Sequence, residues 1–257
     1  MPKSAPRDRF KHMEVEHKEA PKGLIDSLFK VGAHLGYSRA RRHASMAGLV
    51  FGSKGKTDVL DLTKTSALME ESLSYVRSLG ALGKTMLFVA GKPEILDTIK
   101  TAAGSVGMPY VAGRWIGGTI SNFPEIKKRI DRLHELVTDR EAGNLVKYTK
   151  KERVLIDREI ARLEENFGGL GEMARIPDAV VIVDTRAEAI AVKEAKKMHV
   201  PVVGIMNSDC DMSLVPHPLV GNDSSRESVA FFLTQVVEAY REGQKGAVAK
   251  AAETPAS

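Results

Sequence analysis

The densest set of reactive side chains lies between Gly32 and Lys56. Arg39, Arg41 and Arg42 fall within four residues, His34 and His43 flank them, and Lys54 and Lys56 follow in the turn Gly52-Ser53-Lys54-Gly55-Lys56. Guanidinium groups present planar forks of donors that match phosphate oxygens, and lysine adds mobile point charges. No acid stands close to these arginines in the sequence, so the pattern points to phosphate contact; the plainer alternative is a solvated loop. A second stretch, Met108 to Phe123, holds the only tryptophan. Arg114 beside Trp115 sets a planar cation next to a planar ring, a pairing suited to phosphates and stacked bases. Gly117-Gly118 frees the backbone for close approach, and Thr119, Ser121 and Asn122 are each able to cap the helix whose pattern begins at Phe123. The plainer alternative here is that Trp115 anchors the core and the glycines only turn the chain.

Other candidate chemistry fails on placement. Ser78 to Thr85 nearly spells a phosphate-binding P-loop, but it opens with Ser78 where glycine is needed, and its Gly-Lys-Thr precedes a strand instead of following one. The amides would not face a phosphate, which excludes ATP or GTP at that point. Gly91 stands alone after an apolar run, so there is no dinucleotide fingerprint. Asp209 and Asp211 sit after a strand and are able to bind a divalent ion; a polar loop shaped by local hydrogen bonds is the favoured reading. Cys210 has no neighbouring base to lower its pKa, and the histidines show no metal-ligand spacing. No cofactor is expected.

The elements that must position these residues follow from periodicity. Leu24 to Val31 predicts a short amphipathic helix ending at Gly32, and Gly32 to His43 a basic loop. Leu49-Val50-Phe51 and Asp58 to Leu62 predict a hairpin, and Lys64 to Ser78 a helix capped by Asp61 or Thr63. Thereafter apolar strands (86–90, 109–111, 179–183, 201–206) alternate with helices (93–103, 187–198, 224–242). Continuous apolar strands alternating with helices mean a parallel sheet covered on both faces. The expected fold is therefore α/β, a Rossmann-like (flavodoxin-like) doubly wound parallel sheet. One segment interrupts it. Ile126, Ile130, Leu133 and Val137, then Ile156, Ile160, Leu163 and Phe167, repeat at steps of four, three and four. These narrow stripes predict an inserted antiparallel coiled-coil hairpin over 123–171. Its outer faces carry Lys127, Lys128 and further bases, and such a thin arm makes sense against a partner or as a dimerisation arm. The α/β domain then comprises 22–122 and 172–243, with flexible tails over 1–21 and 244–257.

Composition narrows the partners. From Met1 to Thr57 the chain carries twelve Lys and Arg against five Asp and Glu, a net of +7, whereas the whole chain is +5. A basic front on a near-neutral body suggests a polyanion, most often nucleic acid. A single cysteine excludes an internal disulfide and fits a reducing, cytoplasmic setting. No apolar run approaches the ~18 residues of a membrane helix, and the front lacks the apolar core of a secretory signal.

Several motifs together resemble the bacterial-type S-two family of small-ribosomal-subunit proteins: Ala33-His34-Leu35-Gly36; Phe51-Gly52 with Asp61-Leu62-x-Lys64-Thr65; Gly107-Met108-Pro109-Tyr110; Arg114 to Thr119 with Asn122-Phe123; Pro177 to Asp184 continuing to Val203; Asp209-Cys210-Asp211; and Gly221-Asn222-Asp223. The chain departs from the family pattern after Gly36, where His-x-x-x-x-Trp-Asn-Pro is usual and Tyr37, then Arg42-His43-Ala44, stand instead. The resemblance implies a structural, non-enzymatic constituent of the 30S subunit. Its place would be between head and body on 16S rRNA, beside neighbouring ribosomal proteins, including the large OB-repeat protein that gathers mRNA. Residue reading and resemblance together give a candidate RNA-binding set of His34, Arg39, Arg41, Arg42, Lys54, Lys56, Lys64, Arg114, Trp115, Gly117, Gly118, Thr119, Asn122, Lys127 and Lys128. No small-molecule substrate and no membrane partner are implied. The alternative is a Rossmann-type enzyme using a nucleotide or metabolite, since this layout hosts many functions.

Overall fold

The computed structural model describes residues 22–253, with side chains over 23–247. The expected tail over 1–21 lies outside these residues. The chain runs α1 (Lys22–Lys30), β1 (Leu35–Ser38), β2 (Val50–Lys54), β3 (Thr57–Leu60), α2 (Leu62–Ala81), β4 (Met86–Ala90), α3 (Leu96–Gly104), β5 (Tyr110–Ala112), α4 (Phe123–Glu141), α5 (Lys150–Phe167), β6 (Ala179–Val183), α6 (Ala189–Lys197), β7 (Val202–Met206), β8 (His217–Val220) and α7 (Arg226–Glu253).

Five strands form a parallel sheet in the order β5-β4-β6-β7-β8, with Phe88 opposite Tyr110 and Val181, and Val181 opposite Val203. Every residue of β4, β6 and β7 is buried. The pleat divides them: Leu87, Val89, Val180 and Ile182 join one core cluster, Met86, Phe88, Val181 and Val203 the other. The first cluster runs on through α6, the loop before α4 and the facing stripes of α4 and α5, the second through α1, α2, α3 and α7. This is the Rossmann-like architecture that continuous apolar strands require. On the second face α2 and α7 meet at glycine: a Cβ on Gly80 would lie 2.1 Å from the Tyr240 carbonyl oxygen, and one on Gly243 2.0 Å from that of Arg77.

Two strands escape the periodicity. The expected loop over Gly32–His43 contains β1, paired antiparallel to β3 with Leu35 opposite Val59, so the front sheet has three strands, β1-β3-β2, and not two. Leu35 faces solvent, so β1 leaves no apolar alternation to read. The other, β8, is a four-residue strand with Pro218 in it. It lies at the sheet's edge, the position in which a strand tolerates proline. The last helix also continues through the expected tail to Glu253, because Ala and Lys are strong helix formers; residues 254–257 lie outside the described ones.

Between β5 and β6, α4 and α5 pack through Ile126, Ile130, Leu133, Ile160, Leu163 and Phe167. Leu136 is buried where Val137 was expected, and Val137 only half so. Thr149 and Glu152 form a capping box that starts α5.

Candidate nucleic-acid interface

The basic front segment is tied down by backbone bonds. Arg39 N–H donates to the Lys56 carbonyl (2.9 Å), His43 N–H to that of Ser208 (2.8 Å), and Leu60 N–H to that of His34 (2.8 Å). These bonds set Arg39 beside the β2–β3 turn that carries Lys54 and Lys56. All three side chains are exposed and make no ion pair among the described residues.

The other two arginines find acids that the local sequence hides. Arg42 Nε and Nη2 grip both oxygens of Asp58, which is wholly buried and also takes Ser53 Oγ at 2.8 Å. Hydrogen bonds from Arg42 above all hold the Asp58 carboxyl below the usual carboxylate range. Arg42 thereby braces the 3-10 turn Arg39–Arg41 against β3. Arg41 gives one bond to Asp209 Oδ2 (3.3 Å) and stacks 4.6 Å above the Tyr37 ring, while staying half exposed. Lys64 Nζ donates to the Gly48 carbonyl at 2.9 Å and lies 3.7 Å from Asp61, which caps α2. His34 stacks on Phe29 at 4.4 Å at the α1–β1 corner, and burial lowers its pKa.

The Arg114–Asn122 loop also resolves towards structure. Trp115 is 7% exposed and sits in the core. Its indole N–H points at Glu194 Oε1 (3.4 Å), and the same carboxylate of α6 accepts from the amides of Gly118 (2.7 Å), Ile120 (3.2 Å) and Ser121 (3.3 Å). Burial alone would raise the Glu194 pKa; the amides of Gly118, Ser121 and Ile120 outweigh that and hold it low. The backbone freed at Gly117-Gly118, with Gly118 at φ +96°, forms an anion-binding nest that a carboxylate of the chain itself fills. Thr119 is buried and bonds the Ile116 carbonyl; Asn122 stands at the N-cap of α4 without a side-chain cap bond. Of this loop Arg114, Gly117 and Asn122 are exposed. Lys127 and Lys128 face solvent in helical ion pairs with Asp131 (2.9 Å) and Glu125 (2.6 Å). Such exposed pairs are weak and screened by salt.

Asp209 and Asp211 do not converge as metal ligands. Asp209 Oδ2 holds Arg41 and Arg186, and Asp211 Oδ1 caps the next turn through Ser213 N–H (2.9 Å) and Oγ (2.7 Å). A different acidic group, unread in the sequence, lies at the carboxyl edge of the sheet. Asp184 and Asp223 flank Lys92 Nζ at 2.7 and 3.3 Å, with buried Glu188 beside them. Burial, then Asp184, pushes the Glu188 carboxyl up to about 7 and Asp223 up to about 6. Donor atoms of Asp184, Cys210 and Asp223 lie within 4.8 Å of one another, but the Lys92 ammonium already occupies the space between the two carboxylates. Burial raises the Cys210 thiol to about 11, which leaves it inert as a nucleophile. Only the position of these acids after successive apolar strands was available as a signal. The near P-loop is helix and turn: Gly80 lies inside α2, and Lys84 pairs with Asp178 at 3.0 Å.

No helix among the described residues is long and apolar enough to cross a membrane. The family model described as Ribosomal protein S2 matches residues 28–243 of the 257. The chain belongs to that family, whose members are structural proteins of the small ribosomal subunit with a part in translation.

Proposed function

We propose that this chain binds 16S rRNA in the 30S subunit, between head and body, as a non-enzymatic scaffold that helps anchor the large OB-repeat mRNA-binding protein. One observation carries the reading. Arg39, Lys54 and Lys56 are brought together by the front sheet and left facing solvent, while Arg42 and Lys64 are engaged within the fold. Phosphate contacts from such side chains are individually weak, additive and salt-dependent. Helices α4 and α5 serve as a coiled-coil arm inserted between 22–122 and 172–243, and Lys127 and Lys128 add backbone contacts along it. In the loop after β4, where the enzyme alternative would seat a cofactor, Glu188 stands against Gly91 and Lys92 is held by Asp184 and Asp223.

The test is sedimentation of a cell lysate on a sucrose gradient in high-magnesium buffer, alongside a Lys54→Gln/Lys56→Gln variant. Comigration with the small subunit, loss at high salt, and earlier loss in the variant are expected. A peak near monomer mass in the wild type overturns the reading.

A further inference from the structure

The front segment and the parallel sheet meet at a cavity of about 370 Å³ beyond the carboxyl ends of β6 and β7. Arg41 lines one side and Arg186, from the β6–α6 loop, the other. Their guanidinium groups converge on a single oxygen, Asp209 Oδ2, at 3.3 and 2.9 Å. The Asp209 side chain is 3% exposed, whereas those of Arg41 and Arg186 are 53% and 51% exposed. One buried negative charge thus stands behind two half-exposed positive ones. Each guanidinium has five N–H donors and gives Asp209 one, so each keeps donors for a second anion. Tyr37 fixes Arg41 from its other face. The N-terminus of α6 opens on the same cavity at Ala189 with no capping side chain, adding its partial positive charge. The opposing acid, Asp211, is committed to Ser213 and lies 3.8 Å from His43.

We propose that Arg41 and Arg186 form a two-pronged site for one backbone phosphodiester of RNA, with Asp209 as the positioning residue that holds both. The site rests on the RNA-binding reading and extends it. The phosphate track would leave Arg39 and Lys56 on the front sheet and cross onto the edge of the parallel sheet. A polymer fits better than a free nucleotide. The Tyr37 ring that a base would stack on is covered by Arg41, and the cationic strip continues through Arg39. Two preoriented forks need little further ordering to bind.

The experiment is filter binding of the full chain to small-subunit rRNA across a salt series, with the Arg186→Gln and Arg186→Lys variants and equal melting temperature as the fold check. Arg186→Gln should weaken binding about three- to tenfold and make the log–log salt slope shallower, by less than the about 0.7–0.9 of a whole phosphate contact because Arg41 still meets that phosphate. Arg186→Lys should keep the slope while losing part of the affinity. Unchanged affinity and slope in Arg186→Gln, with binding still weakened by Lys54→Gln/Lys56→Gln, overturns this site and leaves the broader reading intact. Absence of RNA binding by the wild type overturns both. Millimolar adenosine monophosphate that raises the melting temperature of the wild type but not of Arg186→Gln, without any effect of Arg186 on RNA, identifies a free-nucleotide site and also overturns the proposal.

Discussion

Replacing Arg42 by Gln separates bracing from RNA contact within one arginine cluster. Arg42 meets both oxygens of a carboxylate with no exposure at all, and its own side chain is 23% exposed. Removing one member of a buried pair strands the other charge and costs about 3–5 kcal/mol. Water reaches the vacated volume from the exposed side, and Ser53 still donates to Asp58, so the lower end, about 3 kcal/mol, applies. With a urea m-value of about 3 kcal/mol/M, the unfolding midpoint should fall by about 1 M. Combining Arg42→Gln with Asp58→Asn should lose less than the two changes apart, by about 1–2 kcal/mol. The folded-state pKa of Asp58 is depressed, chiefly by hydrogen bonds from Arg42. The stabilisation is therefore present at neutral pH and disappears as pH falls through that depressed value, so wild type and variant should converge in acid. RNA affinity of the folded variant should stay close to wild type. A midpoint shift below about 0.2 M together with a clear loss of RNA binding would refute the reasoning and return Arg42 to the phosphate contacts.

Glu194→Gln removes the charge from the amide nest and should cost about 1–2 kcal/mol. The emission of Trp115, the only tryptophan, should move to the red as its loop loosens, and an unmoved spectrum with unchanged stability would contradict the assignment. Glu188 carries a pKa raised to about 7 by burial and then by Asp184, above its unfolded value, so its ionised form opposes folding at high pH. Stability should rise as pH falls from above 7 towards the ordinary carboxylate range, and Glu188→Gln should flatten that rise; an unaltered pH profile would argue against a buried, repelled carboxyl. Gly80→Ala would drive a Cβ against the Tyr240 carbonyl oxygen and should cost about 3 kcal/mol. That corresponds to a fall of about 6–12 °C in melting temperature, and a variant melting like the wild type would show that α2 and α7 separate freely.

The parallel sheet was legible because burial on both faces writes itself into every residue. Met86–Ala90 and Ala179–Val183 are read from sequence with the bounds they have in the structure. The strands β1 and β8 were not legible, since one turns Leu35 to solvent and the other carries Pro218 on an edge, and backbone pairing leaves no trace in side-chain pattern. The partners of the site residues were hidden differently. Arg42, Arg41 and Trp115 have partners 16, 168 and 79 residues away, so a rule that looks for acids nearby in sequence must call all of them free. The fold closes those distances at one place, the carboxyl ends of the strands, where the loops converge. There Lys92 sits between Asp184 and Asp223, Glu188 stands against Gly91, and Glu194 takes the amides of the loop before α4, so these charges are answered by the chain itself. What it still presents is the cations that internal pairing leaves over, and these lie on the surface, spaced along the front sheet and the cavity beside it. That arrangement suits a long polyanion better than a substrate, because each contact is shallow and only their number gives affinity.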